Sequence, residues 1–384
     1  MRPCAPAGRP VREVLFVVGE ASGDLHAAKV VEALRRHAPP GLPLVGVGGD
    51  LMRSAGVTLI EHVERLAVMG FVEVLQHVPK HWRLLRTVRA RIESGSVALV
   101  VLLDYPGFNL KVAEAAHRAG VPVLYYITPQ VWAWGAGRLP TIARVVTKAA
   151  SILPFEEALL RSHGVPATFV GHPLLDRAQA LPTQAEARAQ LGLREHAPVL
   201  AVFPGSRRAE IGRHLAPFVE AAREVQRRRP EVQVVVSAAP TVRISAGGCP
   251  FPLVQGASFV VQRAATAGLL KSGTNTLEAA VAGLPHVIGY RTSPITYAIA
   301  RRVVKIPHIG LVNVVAGREV SREFVQDAFV PSAVADALMP LLDVHSPVRE
   351  HAEHGLAEVR SKLGTPGASE RVARLILDML GPAT

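Results

Sequence analysis

The polar stretch Ser272-Gly273-Thr274-Asn275 separates an apolar run from a helix-forming run, as a turn between a strand and a helix does. The first turn of a helix exposes backbone N–H groups and the positive end of the helix dipole, and both attract anions such as phosphate. Glu278 falls in that turn, where a carboxylate can accept hydrogen bonds from a vicinal diol. The stretch therefore indicates a nucleotide or nucleotide-sugar site. The alternative is a plain capping box, with Asn275 as N-cap and Glu278 reaching back to it.

A carboxylate, Asp104, directly follows the apolar run Val100–Leu103. Ligands of open α/β sheets bind at the carboxyl ends of the strands, so this side chain is expected to point into a ligand crevice. There it can take the proton of a substrate hydroxyl as a general base. The alternative is an aspartate at a helix start that holds the Pro106-Gly107 turn.

A basic turn, Pro204-Gly205-Ser206-Arg207, follows the apolar run Val199–Phe203. Arg207 at a helix start can bind a diphosphate through two parallel hydrogen bonds, with Gly205 and Ser206 beside it. The alternative is that Arg207 is a solvated surface charge.

Gly19, Glu20 and Ser22 form a comparable turn after the first apolar run, Val14–Val18. A glycine permits a tight turn and a close approach of the backbone to a ligand, so these residues are candidate donor contacts. The turn has neither the G-x-G-x-x-G pattern nor the lysine of a P-loop, so neither fingerprint applies. The alternative is an ordinary turn with Ser22 as the helix cap.

The stretch from residue 69 to residue 86 mixes apolar residues, a tryptophan and basic side chains. This is the composition of an interfacial membrane contact. The alternative is an amphipathic helix that packs on its own domain. The candidate membrane or acyl-chain contacts are Met69, Phe71, Val74, Leu75, Trp82, Leu85 and Arg86.

No group of residues has the spacing of a metal site. His77 and His81 are four residues apart, but Pro79 between them is expected to break the helix that would align them. Cys4 and Cys249 lie far apart and form no metal pattern. We therefore expect neither a metal nor a cofactor.

The length and net charge of the chain indicate its number of domains and the kind of partner it binds. A chain of 384 residues is expected to form two domains. Lys and Arg total 43 against 31 Asp and Glu, a net charge of +12, which indicates an anionic partner such as nucleic acid, a membrane surface or a phosphorylated substrate. No uninterrupted apolar run approaches the ~18 residues of a membrane span, so we expect a cytoplasmic protein whose membrane contact is peripheral.

Strand-like runs and helical stretches alternate in two successive series. This alternation predicts an α/β fold with two Rossmann-like domains that face each other across a cleft. The expected boundaries are 1–175 and 176–365, and a last helix at about 366–384 returns to the first domain. The predicted strands are Val14–Val18, Ala98–Leu103, Val121–Ile127, Ala150–Leu153, Val199–Phe203, Val232–Ser237, Ala267–Leu270 and His286–Tyr290.

An ordered series of motifs runs from about Val14 to Phe329. Taken together, the motifs resemble those of the lipid-A-disaccharide synthase family, and the Trp-Ala-Trp and Gly-Glu-Ala-Ser-Gly-Asp pieces are highly specific. The matching stretches are Gly19–Asp24, Leu66–Leu75, Asp104–Asn109, Pro129–Trp134, Leu153–Glu156, Phe169–Pro173, Pro204–Arg207, Ser272–Thr274, Gly289–Arg291, Asn313 and Ala316–Glu319.

The resemblance implies an inverting, metal-independent glycosyltransferase of the GT-B arrangement. Its expected donor is UDP-2,3-diacylglucosamine and its expected acceptor is 2,3-diacylglucosamine-1-phosphate, which yield UDP and the β-1′,6-linked disaccharide of lipid A. Asp104 matches the family's candidate base, and Arg207 matches the basic residue that faces the donor. The turn Ser272–Asn275 and Glu278 match the nucleotide site, and Asn313 and Gln326 are expected to line it.

The implied substrates give the charge surplus a meaning. Both are anionic and acylated, so we expect peripheral contact with the anionic cytoplasmic leaflet of the inner membrane and no nucleic-acid partner. The sequence leaves open whether the protein forms a homodimer. The alternatives are another UDP-sugar enzyme of this fold, such as an epimerase or a peptidoglycan glycosyltransferase, a dinucleotide-dependent oxidoreductase, and a basic nucleic-acid-binding protein. Against the last stands an aromatic content of only 5%.

Three stretches depart from the family pattern. Pro240–Pro252 is shorter than the usual helical segment, and Pro307–Gly310 is a variant of this chain's own. Lys271 stands directly before Ser272, where a small or apolar residue is expected.

Overall fold

A computed structural model describes residues 12–65, 71–240, 242–244, 248–303 and 306–381, and for residues 65, 71–78, 299, 300 and 303 it describes the backbone only. The chain divides into two compact units. The first unit consists of Met1–Pro173 and Thr365–Thr384, and the second consists of Leu174–Gly364.

Each unit contains one sheet, and every pair of neighbouring strands in both sheets is parallel. Within the described ranges the first sheet has seven strands in the order β3-β2-β1-β4-β5-β6-β7, and the second has six in the order β10-β9-β8-β11-β12-β13. The strands are β1 (Glu13–Val18), β2 (Leu44–Gly48), β3 (Thr58–His62), β4 (Val97–Leu103), β5 (Val123–Tyr126), β6 (Lys148–Ser151), β7 (Ala167–Phe169), β8 (Val199–Phe203), β9 (Gln233–Ala238), β10 (Leu253–Gln255), β11 (Ala267–Lys271), β12 (His286–Tyr290) and β13 (Glu323–Val325).

In the described residues, helices connect all successive strands except β9 and β10, as is usual for parallel pairs, and the last three helices follow β13. They are α1 (Ala21–His37), α2 (Asp50–Ser54), α3 (Phe71–Glu93), α4 (Pro106–Arg118), α5 (Val131–Trp134), α6 (Leu139–Val145), α7 (Glu156–Ser162), α8 (Leu174–Ala178), α9 (Gln184–Gln190), α10 (Arg208–Arg228), α11 (Ser258–Ala264), α12 (Asn275–Ala282), α13 (Pro294–Val303), α14 (Leu311–Ala316), α15 (Pro331–Leu338), α16 (Pro347–Lys362) and α17 (Ala368–Leu380).

Both faces of the first sheet are covered. Leu15 and Val17 of β1 face a cluster built with α3, α4, α6 and α7, whereas Val14, Phe16 and Val18 face a cluster built with α1, α2 and α17. Because both faces are buried, β1 is apolar at all of positions 14 to 18 rather than alternating, which is why the sequence identifies it.

The second sheet is built in the same way. Leu200 and Val202 of β8 pack on α10 and α15, and Val199, Ala201 and Phe203 lie on the opposite face with α11 and α12. The predicted fold class, α/β with two Rossmann-like sheets, is confirmed, and the predicted bounds of β8 and β12 are those observed.

The described residues after β13 contain three helices, α15 to α17, and the last of them lies within the predicted range of about 366–384. The last helix, α17, packs on α1 in the first unit, where Arg371 Nε donates to the Val170 carbonyl at 2.8 Å. By contrast, α16 packs on α12 and α14 in the second unit.

Two local predictions are wrong. Pro79 does not break a helix, because α3 runs continuously through it. Helix α1 begins at Ala21 with Glu20 at the N-cap, so Ser22 lies in the first turn and is not the cap.

The described residues between β9 and β10 include no α-helix, and β10 pairs directly with β9. Among the helices of the described chain, none is long and apolar enough to cross a membrane.

Candidate functional site

Both sheets change winding direction between two neighbouring strands, which is where open α/β sheets bind ligands. In the first unit this switch point lies between β1 and β4. The turn after β1 carries Gly19, and the turn after β4 carries Asp104 and Tyr105. The two turns touch, because a Cβ on Gly19 would lie 2.2 Å from the Tyr105 ring, so only glycine fits there.

The backbone of Asp104 is held in an unusual conformation. Asp104 and Tyr105 have φ of 46° and 50°, the left-handed region that few residues other than glycine adopt. The Asp104 carbonyl accepts from Asn109 Nδ2 at 2.7 Å and from the Tyr125 hydroxyl at 2.8 Å. Asn109 Nδ2 also donates to the Leu103 carbonyl at 3.0 Å. These buried groups hold the backbone of Asp104 in place, and its carboxylate is exposed.

Tyr105 lies at the centre of a cluster that sequence reasoning missed. Its hydroxyl is 2.7 Å from His81 Nε2, and its ring stacks on Phe108 at a centroid distance of 5.7 Å. Burial, and secondarily the Glu20 carboxylate, raise the pKa of Tyr105, so its hydroxyl keeps its proton. The spacing of His77 and His81 suggested only a metal pair, and nothing in the sequence links His81 to a tyrosine 24 residues away.

The last residue of the Gly19–Asp24 stretch has a structural role. Asp24 is buried, and its carboxylate accepts from the backbone N–H groups of Gly49 at 2.7 Å, Leu51 at 3.1 Å and Met52 at 3.1 Å. It therefore caps α2 and fixes the turn after β2. Glu20 and Ser22, by contrast, are exposed beside the switch point, where a ligand can reach them.

A second carboxyl group lies after the neighbouring strands of the first sheet. Glu156 is buried, accepts from Trp132 Nε1 at 3.1 Å and from the Leu153 N–H at 3.2 Å, and Trp132 packs edge-on against Phe155. Burial raises the pKa of Glu156 to about 7. This pair fastens the turn after β5 to the turn after β6.

The candidate membrane patch is only partly described. Met69 lies outside the described residues, and Phe71, Val74 and Leu75 are described by their helical backbone alone. The assignment of Leu85 to the patch is wrong, because Leu85 is 2% exposed and packs in the core cluster with α4.

The rest of the patch lies on the outer face of α3. Trp82 is 52% exposed with Lys111 Nζ 5.3 Å from its ring centre, and Arg86 is exposed as well. Leu84 and Leu85 face inward, so the apolar content of this helix is divided between its two sides.

In the second unit the switch point lies between β8 and β11. Helix α12 begins at Asn275, and Thr274 at the N-cap makes no side-chain capping bond. Within the described chain, the backbone N–H groups of Gly273, Thr274 and Asn275 have no hydrogen-bond acceptor. The capping-box alternative therefore fails, and the turn presents three consecutive donors that suit a phosphate.

The buried Glu278 side chain is hydrogen-bonded to neighbours in its own unit. Its side chain is 8% exposed, and its two oxygens accept from Arg177 Nη1 at 3.0 Å and from the Ser258 hydroxyl at 3.1 Å. Burial raises the pKa of Glu278, and the nearby Arg177 partly offsets that rise. Each carboxylate oxygen has the capacity to accept one further hydrogen bond.

The turn after β8 is organised by Glu210. This carboxylate accepts from the N–H groups of Ser206 at 2.9 Å and Arg207 at 3.3 Å, and Lys271 Nζ donates to it at 2.9 Å. Gly205 has φ of 133°, and a Cβ there would lie 2.6 Å from the Glu210 side chain, so glycine is required. Arg207 is exposed at the N-cap of α10, directly beside the switch point.

Of two predicted nucleotide contacts, Asn313 and Gln326, the first is wrong. Asn313 is 0% exposed, donates to the Ser321 carbonyl and to Glu323, and accepts from the N–H groups of Val320 and Ser321. Gln326 exchanges two hydrogen bonds with the backbone of Thr292, at 2.6 and 3.1 Å. The Asn313 amide is fully used in holding the residues around β13, so it lines no ligand site. The partly buried Gln326 amide can still donate one bond and accept one, so its contact with a nucleotide stays a prediction.

Ser272 is partly committed. Its hydroxyl donates to the Ile309 carbonyl at 2.7 Å, which ties the turn after β11 to the residues just before α14, so only its oxygen is available to accept from a ligand. As for metal ions, the described residues contain no group of three or more His, Cys, Asp or Glu side chains that could hold one.

The chain is similar to known proteins over nearly its whole length. A family model described as "Lipid-A-disaccharide synthetase" matches residues 14–372. The lipid-A-disaccharide synthase of Geobacter metallireducens is 42% identical over 382 residues, 97% of this chain and 98% of that protein. That of Geobacter sulfurreducens is 42% identical over 376 residues, 96% of this chain and 97% of that protein.

Solved structures resemble the fold at low identity. UDP-GlcNAc 2-epimerase from Neisseria meningitidis, bound to UDP-GlcNAc, superposes with a TM-score of 0.64 at 15% identity, covering 95% of this chain and all of that one. The calicheamicin glycosyltransferase CalG4 gives a TM-score of 0.61 at 17% identity, covering 98% of this chain and all of that one. At these identities the likeness shows a shared fold.

Proposed function

The chain belongs to the lipid-A-disaccharide synthase family, and we propose that it transfers 2,3-diacylglucosamine from its UDP donor to the 6-hydroxyl of 2,3-diacylglucosamine-1-phosphate. The products are UDP and the β-1′,6-linked disaccharide 1-phosphate of lipid A. In this proposal the second unit binds the UDP-sugar, and the first unit binds the acceptor and supplies the base.

The observation that carries the donor side is the row of N–H groups at Gly273, Thr274 and Asn275, which have no acceptor among the described residues. A diphosphate oxygen supplies the missing acceptor, and the helix dipole favours its charge. Arg207 reaches the same switch point from the turn after β8. Glu278, next along α12, then receives the ribose hydroxyls.

The acceptor side rests on Asp104. Its carboxylate takes the proton of the acceptor 6-hydroxyl as that oxygen bonds to the anomeric carbon of the donor. The bond between this carbon and the diphosphate breaks at the same time, so UDP leaves from the opposite face and the configuration inverts. Arg207 and the N–H groups of the α12 turn stabilise the charge that develops on the leaving diphosphate.

The membrane side rests on charge and on Trp82. With a net charge of +12 and an exposed tryptophan flanked by exposed Arg83 and Arg86, the outer face of α3 suits an anionic leaflet that carries both acylated substrates. We propose that this contact is peripheral and on the cytoplasmic side of the inner membrane.

The direct test is a mass-spectrometric assay of the purified protein with both proposed substrates, run with and without EDTA. The proposal expects a diacylated disaccharide and UDP, in equal amounts with and without the chelator. Failure to form the disaccharide by a folded protein that still binds UDP would leave a UDP-sugar site but reject the proposed reaction.

A further inference from the structure

Lys271 lies at the switch point of the proposed donor site, and its surroundings are unusual for a lysine. It is the last residue of β11, at the switch point, and its side chain is only 18% exposed. Burying an ammonium group is unfavourable unless it is paired. The partner is Glu210, whose side chain is 16% exposed and whose Oε1 lies 2.9 Å from Lys271 Nζ.

Glu210 holds the lysine at a definite place. Its other oxygen, Oε2, accepts from the N–H groups of Ser206 and Arg207, so the carboxylate is anchored to the turn after β8. On the other side, Lys271 Nζ lies 5.8 Å from the centre of the Tyr290 ring. The ammonium is therefore held between the turns after β8 and β12, and it cannot swing freely into solvent.

The ammonium also lies beside the phosphate-suited turn. Its Nζ is 3.6 Å from the place that a Cβ on Gly273 would occupy, and Gly273 begins the row of N–H groups without an acceptor in the described chain. An ammonium has three donors, and among the described residues the hydrogen bond to Glu210 uses one of them. Two donors are left for a ligand at this turn.

We propose that Lys271 is a second cation for the donor diphosphate, besides Arg207, and that Glu210 positions it. This rests on the proposed function and adds a residue to it. Without Lys271, the charges of Arg207 and Glu210 cancel at the mouth of the turn. With Lys271 a net positive charge remains, so a dianionic diphosphate is attracted to the exposed N–H groups.

The competing explanation is that Lys271 only neutralises Glu210. Binding of UDP, UMP and uridine, measured by titration calorimetry, separates the two for wild type, Lys271→Met, Glu210→Gln and the double variant. The proposal expects Lys271→Met to weaken UDP binding about tenfold, the usual effect of losing one charge-assisted hydrogen bond, and to leave uridine binding within twofold. A smaller loss, of about threefold, is expected to remain in the Glu210→Gln background, because the lysine contacts the ligand itself but is less well positioned there.

Two control variants separate the effect of Lys271 from that of charge alone. Lys271→Arg keeps the charge and is expected to bind UDP within about threefold of wild type. Lys29→Met removes an exposed lysine of α1, in the other unit, and is expected to bind UDP as wild type does although the net charge changes equally.

Three results overturn the inference while wild type still binds UDP. These are an unchanged UDP dissociation constant in Lys271→Met, a loss that disappears in the Glu210→Gln background, and an equal loss for uridine. Failure of wild type to bind UDP at all would instead reject the proposed function, and the role of Lys271 with it.

Discussion

Replacing Asn109 with leucine removes the amide that holds the backbone of the proposed base. Asn109 is 0% exposed, and its Nδ2 donates to the carbonyls of Asp104 at 2.7 Å and Leu103 at 3.0 Å. Each such bond contributes about 0.5–1.5 kcal/mol, so Asn109→Leu is expected to lower the free energy of unfolding by about 1–3 kcal/mol. Urea denaturation measures this change directly.

The same variant is expected to lower kcat. Without the amide, Asp104 is free to leave the left-handed conformation, and a displacement of about 1 Å at a catalytic group reduces the rate by roughly a hundredfold. The UDP dissociation constant is expected to stay within twofold, because the nucleotide contacts belong to the other unit. Steady-state UDP release and calorimetry measure the two quantities.

Tyr125→Phe is the matched control. It removes only the 2.8 Å bond from the Tyr125 hydroxyl to the Asp104 carbonyl and leaves both Asn109 bonds in place. We expect about 1 kcal/mol of destabilisation and a smaller fall in kcat. If Asn109→Leu loses stability while its kcat stays within twofold of wild type, the activity of Asp104 does not depend on the Asn109 hydrogen bonds.

Three further predictions concern Glu156, Glu278 and Trp82. The folded protein keeps the Glu156 proton up to about pH 7, whereas the unfolded chain releases it near pH 4.5, so this group's contribution to stability is lost as pH rises through that window. Relative to Glu156→Gln, wild type should therefore lose up to about 3 kcal/mol between pH 4 and pH 8.5 in urea unfolding, and parallel pH profiles would argue against it. Glu278→Gln is expected to weaken the binding of UDP and of uridine alike by about tenfold. Arg177→Gln removes only the ion-pair partner of Glu278 and should change these affinities less. An unaltered dissociation constant in Glu278→Gln would assign that residue to structure alone. Trp82→Ser is expected to reduce sedimentation with anionic liposomes. Leu51→Ser changes a similarly exposed apolar residue on α2 and should not reduce it. Equal sedimentation of wild type and both variants would remove Trp82 from the membrane contact.

The strands that the sequence identified are those buried on both faces. Val14–Val18 and Val199–Phe203 are uninterrupted apolar runs, which indicate central parallel strands. The outer strands β3, β7, β10 and β13 were not predicted, because each has partly or fully exposed positions and three of them are only three residues long. The buried strand β2 was missed as well, because glycines interrupt its apolar run. Nothing in such short runs distinguishes a strand from a loop before the neighbouring strand is in place.

Some parts of the candidate site could be predicted from the sequence and others could not. The turns after β1, β4, β8 and β11 were predicted because residues at the carboxyl ends of parallel strands must meet at one edge of a sheet. The roles of Asn313 and Gln326 were not, because their partners Ser321 and Thr292 are brought to them only by the folded loops. The pairing of His81 with Tyr105 likewise joins a helix to a turn 24 residues away, and no local pattern encodes it.

The role of Asp104 as the base is central to the proposed reaction, and Asp104→Asn tests it. Asparagine has the same shape and tolerates the left-handed conformation at φ of 46°, so the turn is expected to stay intact. Loss of the base should lower kcat by about 10²–10⁴-fold and leave the UDP dissociation constant within a few-fold of wild type. A variant that turns over within tenfold of wild type, or one that no longer binds UDP, would contradict the assignment.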